Sequence, residues 1–220
     1  NRLEGSGEKN GSIATDHPSV FSGDFASPEQ IIPPQGMQDE SGLPIPWELC
    51  ATMNNHWGYC YWDSLYKTPQ TIIRKLVECV SKGGNMILNV GPDSKGRIPD
   101  ESVKILEKVG HFMDRNGESI YGCGISKTAK PEWGRYTQNG DTIYAHVYET
   151  PLGALPLYGI GPDRVKRVTR LADGSELIRG EAWNTAMYPD VAFVSLGDNP
   201  VFSYPLPDED DTVLKIELAL

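Results

Sequence analysis

The stretch that decides the fold is GGNMILNVGPDSKGRIP, residues 83–99. Gly83 and Gly84 predict the end of a helix, because glycine adopts the left-handed conformation of a helix C-terminus at no steric cost. Residues 86–90 are too few for a buried helix and too apolar for an edge strand. We therefore predict a short strand here that is covered on both faces of its sheet, as strands of parallel sheets are.

The flanking residues extend this strand into an alternating pattern. Residues 47–53 predict a preceding strand, and Thr68 followed by Pro69 predicts the N-cap and first turn of an amphipathic helix. A second helix is predicted to open at Pro99 and to close at Asn116. Strand, helix, strand and helix with short connections favour parallel strands, either in a doubly wound sheet or in part of a barrel.

The pattern changes after residue 125. Short β-branched or alternating runs, separated by Asn-Gly, Asp-Gly and similar turns, predict antiparallel strands. They cover residues 142–148, 164–171, 191–196 and 212–218. This arrangement is typical of a β-sandwich. We place the border between the two parts near residues 122–126.

Composition excludes several classes of function. The chain has 220 residues and a formal net charge of −10, which argues against nucleic acid as a partner. No apolar run approaches the roughly 20 residues of a membrane span. The four cysteines form no Cys-x-x-Cys pair, so a zinc site is not expected, while free thiols and disulfides both stay open. The histidines and the Gly-rich stretches lack the spacing of a metal or phosphate site.

Two carboxylates are candidate catalytic groups. Glu29 follows Pro28 in a segment, residues 3–46, that we interpret as a long loop, and a carboxyl group there can deliver a proton to a leaving group. An exposed loop glutamate is nevertheless usually structural. Glu48 lies beside Trp47 in an apolar strand, where catalysis and an ion pair to an arginine are equally good explanations.

A run of aromatic residues supplies a candidate sugar platform. Aromatic faces stack against the C–H faces of sugar rings, although core packing explains most such side chains. We expect one of four to act in this way: Trp57, Tyr59, Tyr61 or Trp62. Arg2 can make charge-assisted hydrogen bonds to hydroxyls or to a carboxylate, but by position alone it is a terminal residue.

Four motifs resemble those of the α-L-fucosidases of glycoside hydrolase family 29. They occur in order within the first 122 residues of the 220-residue chain. The motifs are WELC (47–50), NHWGY (55–59), VSKGGNMILNVGP (80–92) and GESIYG (117–122). The β-rich part also resembles the family's C-terminal sandwich. The resemblance implies the C-terminal part of a (β/α)8-like barrel over residues 1–124, followed by an antiparallel β-sandwich over residues 125–220.

The resemblance also implies a reaction. It is that of a retaining exo-glycosidase, which removes terminal α-L-fucose by double displacement with two carboxyl groups about 5 Å apart and no cofactor or metal. Glu29 falls where the family's acid/base glutamate is expected, with Glu48 as the next choice. Arg2 matches an arginine that contacts the sugar. Trp57 matches an aromatic that lines the fucose subsite.

One departure from the family limits this reading. The family's nucleophilic aspartate and pocket histidines lie upstream of where the sequence begins, so we expect the chain alone to lack the nucleophile and to be inactive. The expected partners are a fucosylated glycan and the N-terminal part of the same enzyme, with no nucleic acid and no membrane. Two alternatives stay open: a non-catalytic carbohydrate-binding protein, and a glycosidase of another sugar specificity.

Overall fold

The computed structural model describes residues 25–38, 42–180 and 185–219. Arg2 lies outside these residues. The chain packs as two compact units, residues 1–109 and 110–220, and the division falls in a helix. The domain border near residue 124 stays a prediction. None of the helices in the described part of the chain is long and apolar enough to cross a membrane.

The first unit is built on parallel strands. β1 (Glu48–Thr52) pairs in parallel with β2 (Asn85–Asn89), residue for residue along its whole length. Residues 26–30 run parallel to β1 on its other edge, where the amides of Glu48 and Cys50 donate to the carbonyls of Ala26 and Pro28. The interpretation of residues 3–46 as one long loop is therefore wrong for residues 26–30. Pro28 lacks an amide donor and hides the strand-like character of this segment.

The first helix is the one that the sequence predicts. α1 (Pro69–Ser81) begins at Thr68, whose hydroxyl accepts from the amide of Thr71 at 3.1 Å. It ends at Ser81, and Gly83, with a φ of 75°, follows the C-cap residue Lys82. The amides of Gly83 and Gly84 donate to the carbonyls of Val80 and Cys79, the two hydrogen bonds of a Schellman motif.

β2 departs from its prediction, because residues 25–38, 42–180 and 185–219 cover only one of its faces. Met86 and Leu88 pack into the apolar clusters that include Trp47 and Ile72. Ile87 points to the opposite face and is 47% exposed. Successive side chains of a strand alternate between faces, and in the described part of the chain the apolar clusters pack on the face of Met86 and Leu88. The expectation of a strand buried on both faces is thus wrong here.

Gly84 also makes room for the side chain of Trp47, in addition to its role at the end of α1. A Cβ atom on Gly84 would lie 2.2 Å from Cε2 of Trp47, so only glycine allows the indole to pack there. Trp47 is 2% exposed, and its Nε1 donates to the carbonyl of Lys82 at 3.2 Å. The end of α1 and the start of β1 are therefore joined through one indole ring.

The second helix, α2 (Asp100–Asn116), carries acidic residues in its first turn, where their negative charge interacts favourably with the positive end of the helix dipole. Its Ile105 is buried against Met53 and Ile72. A 3₁₀ turn, Gly117–Ser119, follows at the point where the sequence predicts the helix to close.

The second unit is antiparallel, as predicted. Its strands are β3 (Gly124–Ile125), β4 (Gly134–Asn139), β5 (Thr142–Val147), β6 (Leu155–Leu157), β7 (Val165–Arg170), β8 (Ala192–Val194) and β9 (Thr212–Leu218). A five-stranded sheet has the order β3-β4-β5-β9-β7, and a two-stranded sheet pairs β6 with β8. Both sheets contribute to one apolar core.

The four predicted strands correspond to β5, β7, β8 and β9, and the sequence misses the other three. β3 and β6 are very short, while β4 has the polar sequence GRYTQN. Hydrogen bonds inside the core explain why β4 tolerates polar residues. The Thr137 hydroxyl donates to the carbonyl of Ser119 and lies 3.1 Å from Nε2 of His146, which in turn contacts Asp211.

None of the four cysteines forms a disulfide, so the disulfide alternative does not apply. Within the described ranges, no group of three or more His, Cys, Asp or Glu side chains could hold a metal ion.

Gly84→Ala should destabilise the first unit. The new methyl group would overlap the buried indole of Trp47, and overpacking of this kind costs about 1–3 kcal/mol. Urea unfolding followed by tryptophan fluorescence measures the loss. Gly110→Ala is the matched control, because nothing lies within 4 Å of its Cβ and a helix gains about 0.5–1 kcal/mol from the exchange. Wild-type stability of Gly84→Ala would contradict the packing described.

Candidate functional site

The structure brings together two residues that the sequence singles out. Nε1 of Trp57 donates a hydrogen bond to Oε1 of Glu29 at 3.1 Å, across 28 positions of the chain. Glu29 is half-buried, and Trp57 is 40% exposed. One carboxylate oxygen is thus held by the indole, and both side chains stay open to a ligand.

Both residues lie at the carboxyl end of the parallel strands. Glu29 pairs with Cys50 of β1, and Trp57 follows the end of β1. In parallel α/β folds, loops at this edge carry the functional groups. Glu48, the second carboxylate candidate, is the first residue of β1. Glu29 is the carboxylate that contacts Trp57, and the choice of Glu29 over Glu48 as the acid/base stays a prediction.

The carboxyl end of β2 supports the backbone of Trp57. The side-chain amide of Asn89 donates to the carbonyl of Trp57 at 2.6 Å. Gly91, with a φ of 54°, brings its own backbone close to the same loop, since a Cβ atom there would lie 3.2 Å from the carbonyl oxygen of Gly58. Asn89 at the end of β2 and Gly91 just after it thus hold the backbone of the loop that carries the indole.

Asp63 closes the loop that carries Trp57. Its carboxylate accepts from the amides of Asn55 and Leu65 at 2.9 and 3.0 Å, and it contacts Nδ1 of His56 at 2.7 Å. The Asp63 side chain is only 4% exposed. The hydrogen bond with His56, followed by those from the two amides, lowers the pKa of Asp63 below its usual value.

Lys67 lies at the base of the same loop. Its ammonium group donates to the carbonyls of Thr52 and Asn54 at 2.6 and 3.2 Å, and it lies 3.4 Å from the Thr52 hydroxyl. Burial lowers the pKa of Lys67, and the negative charge of Asp63 acts in the opposite direction. The main chain of Lys67 also donates to the carbonyl of Met53 at 2.8 Å.

Gln30 connects the segment of Glu29 to β1. Its amide donates to the carbonyl of Cys50 at 2.9 Å, and its side-chain amide donates to the Thr52 hydroxyl at 2.8 Å. Gln30 has a φ of 59°, in the left-handed region that residues other than glycine rarely adopt. The chain therefore turns sharply directly after Glu29.

The other candidate aromatics are accessible. Tyr59, Tyr61 and Trp62 are 54%, 79% and 70% exposed, so core packing does not explain them in the described part of the chain. Tyr61 and Trp62 contact each other edge to face, with ring centroids 4.8 Å apart. A sugar-binding role for any of the four aromatics stays a prediction.

Sequence reasoning missed most of the polar residues around this site. Gln30, Thr52, Asp63 and Lys67 belong to none of the four motifs, and His56 lies in NHWGY without a role of its own. The signal that can find such residues is a polar side chain at a strand end: Asn89 ends β2, and its side chain contacts the loop of Trp57.

A comparison with protein families identifies the chain. The family model described as Alpha-L-fucosidase matches residues 7–118. The chain belongs to the alpha-L-fucosidase family. The motif resemblance that spans Trp57 and residues 80–92 is therefore confirmed at the level of the family.

Curated relatives agree with this assignment. The tissue alpha-L-fucosidase of Homo sapiens is 30% identical over 198 residues, which cover 85% of this chain and 40% of the human protein. An alpha-L-fucosidase of Dictyostelium discoideum is 34% identical over 110 residues, covering 48% of this chain and 24% of that protein. The chain thus spans less than half the length of these relatives.

Solved structures are similar over most of the chain. Alpha-L-fucosidase isoenzyme 1 from Paenibacillus thiaminolyticus superposes with a TM-score of 0.87 and 49% identity, covering 95% of this chain and 48% of that one. An alpha-L-fucosidase GH29 from Bacteroides thetaiotaomicron gives a TM-score of 0.71 and 28% identity, covering 90% of this chain and 43% of that one.

Asp63→Asn should reduce stability at neutral pH but not in acid. The folded state lowers the pKa of Asp63, so its contribution is present above the unfolded value of 3.8 and is lost as the pH falls through the folded value. Urea unfolding at several pH values should show two curves that converge at low pH.

Asp114→Asn is the control for that experiment, because Asp114 is exposed on α2. Its unfolding free energy should match the wild type at neutral pH. A stability loss for Asp63→Asn that is the same at every pH would contradict an ionised Asp63 as the clamp of the loop.

Proposed function

We propose that this chain belongs to an enzyme that hydrolyses terminal α-L-fucose from glycoconjugates, with Glu29 as the acid/base catalyst. Family membership supports the substrate. The observation that carries the assignment of Glu29 is its hydrogen bond to Trp57 at the carboxyl end of parallel strands. No cofactor is needed, because carboxyl groups alone can perform this hydrolysis.

The first step breaks the glycosidic bond. The protonated Glu29 gives its proton to the leaving-group oxygen while a second carboxylate attacks the anomeric carbon of fucose, and a covalent fucosyl-enzyme forms. The indole of Trp57 occupies Oε1 of Glu29, which leaves Oε2 to carry the proton toward the leaving group. The face of the same indole is available to pack against the sugar.

The second step restores the enzyme. Glu29, now ionised, takes a proton from a water molecule that attacks the anomeric carbon, and the second carboxylate leaves. Fucose is released with retained configuration. A variant of the Bacteroides thetaiotaomicron alpha-L-fucosidase was trapped as a covalent intermediate with 2-fluoro-fucosyl fluoride, which supports the double displacement in this family.

The remaining parts of the site are proposals from the motif resemblance. The attacking carboxylate belongs to a segment that the resemblance places before Asn1, and Arg2 contacts the sugar. In this proposal the chain alone does not complete the reaction, and its partners are the rest of the enzyme and a fucosylated glycan.

We propose the corresponding fold for the first unit. Residues 26–30, β1 and β2 lie side by side and in parallel, with α1 between β1 and β2 in the chain, which is the repeating pattern of a (β/α)8-like barrel. The described strands form an open sheet. Its carboxyl edge, with Glu29 and Trp57, would then belong to the mouth of the barrel.

Glu29→Gln in the full-length protein tests the acid/base role. General acid catalysis contributes about 10²–10⁴-fold, so kcat/KM should fall by about that factor for fucosides with poor leaving groups. Activated aryl fucosides need little protonation and should lose much less. Steady-state kinetics on both substrate types measures the difference.

Glu48→Gln is the matched control, since it makes the same change at the other end of β1. It should leave kcat/KM nearly unchanged on both substrates, because Glu48 takes no part in the proposed proton transfer. Equal losses on both substrates for Glu29→Gln would refute the assignment. So would peptide mapping that finds a 2-fluoro-fucosyl label on Glu29, since that label marks the nucleophile.

A further inference from the structure

We propose that Lys67 is a positioning residue of this site, which sets Trp57 against Glu29 without touching the substrate. The inference rests on the proposed function for its kinetic consequence but not for its geometry. Lys67 binds Thr52 at the end of β1 and Asn54 at the start of the following loop. Gln30, next to Glu29, is attached to Thr52, and the loop from Asn54 leads into Trp57.

One connection runs from Lys67 toward Glu29. The Thr52 hydroxyl lies 3.4 Å from the Lys67 ammonium and accepts from the side-chain amide of Gln30 at 2.8 Å. Gln30 follows Glu29 directly and is held in the left-handed conformation. Because that conformation is unfavourable for glutamine, its two hydrogen bonds to β1 are what keep the turn after Glu29 in place.

The other connection runs toward Trp57. The Lys67 ammonium donates to the carbonyl of Asn54, at the start of the loop that carries the indole. The side chain of Asn54 in turn accepts from the amide of His56, next to Trp57. Moving the Asn54 carbonyl would therefore move the backbone that leads into Trp57.

The chemistry of the ammonium group suits this role. Lys67 has three N–H donors, and the site offers three oxygens: two carbonyls and the Thr52 hydroxyl. Thr52 is 1% exposed and Asn54 is 9% exposed, so water reaches these oxygens poorly. The Thr52 hydroxyl also donates to the Asn54 carbonyl. Removing the ammonium would therefore take one donor from each of the two carbonyls in a buried place, which is costly.

Other lysines of the first unit behave differently. Lys75 and Lys82 form ion pairs with Glu78, at 2.9 and 2.8 Å. Lys67 instead directs its described hydrogen bonds to backbone carbonyls and a hydroxyl at the end of a strand. Its charge is used to hold the main chain rather than to pair with a surface carboxylate.

Lys67→Met in the full-length protein tests the inference, with Lys75→Met as the matched control. Methionine keeps an unbranched apolar stem but removes the donors. The first readout is the indole N–H signal of Trp57 in a ¹H–¹⁵N spectrum, assigned with Trp57→Phe. We expect the signal to shift and to exchange faster with water in Lys67→Met, and to stay in place in Lys75→Met.

The second readout is the dependence of kcat/KM on the leaving group. A displacement of about 1 Å can cost up to about 100-fold, so we expect a loss of about 10- to 100-fold on poor leaving groups and a smaller loss on activated aryl fucosides. Lys67→Arg, which keeps the charge and the donors, should restore part of the activity. A purely structural role would reduce the two substrates equally.

Two outcomes would overturn the inference. One is an unmoved Trp57 indole signal in Lys67→Met. The other is an equal loss on both substrates. Should Lys67→Met not fold, Thr52→Val replaces it, since it removes the shared hydroxyl and must show the same indole shift. Failure of Glu29→Gln to separate the two substrates would refute the proposed function instead, and the indole signal would still decide the role of Lys67.

Discussion

The parallel pairing of β1 with a segment on each of its edges is the constraint on which the site depends. Backbone hydrogen bonds align residues 26–30 with β1 on one side and β2 on the other. Parallel alignment places all three carboxyl ends at one edge. Glu29, Trp57 and Asn89 are far apart in sequence, and they meet because this edge gathers the residues that follow each strand.

Local rules explain which elements could be predicted. The N-cap at Thr68, the glycines after α1 and the apolar spacing between them act over a few residues, so the sequence reports them directly. The strand character of residues 26–30 depends on pairing with β1, and Pro28 disguises it. Likewise, the spacing of residues 86–90 indicates a strand but not whether anything covers Ile87.

The candidate site was predictable only in part, for a related reason. Trp57 belongs to one of the four motifs and Glu29 is placed by the family resemblance, and neither of these gives the contacts of a residue. The hydrogen bond between them, and the oxygens that Lys67 binds, depend on where loops return to the strand ends. Thr52, Gln30 and Asp63 are ordinary polar residues in the sequence. Their contacts with backbone groups form only in the folded chain, so the sequence alone does not reveal them.

The loop between Asn54 and Lys67 is held at its base and exposed further out. Lys67 binds the carbonyl of Asn54 and Asp63 binds the amide of Asn55, whereas Tyr61 and Trp62 are exposed. In the proposed enzyme, substitutions of these two exposed rings would therefore change the outer surface of the loop, while the hydrogen bonds at its base, which lead into Trp57, stay intact.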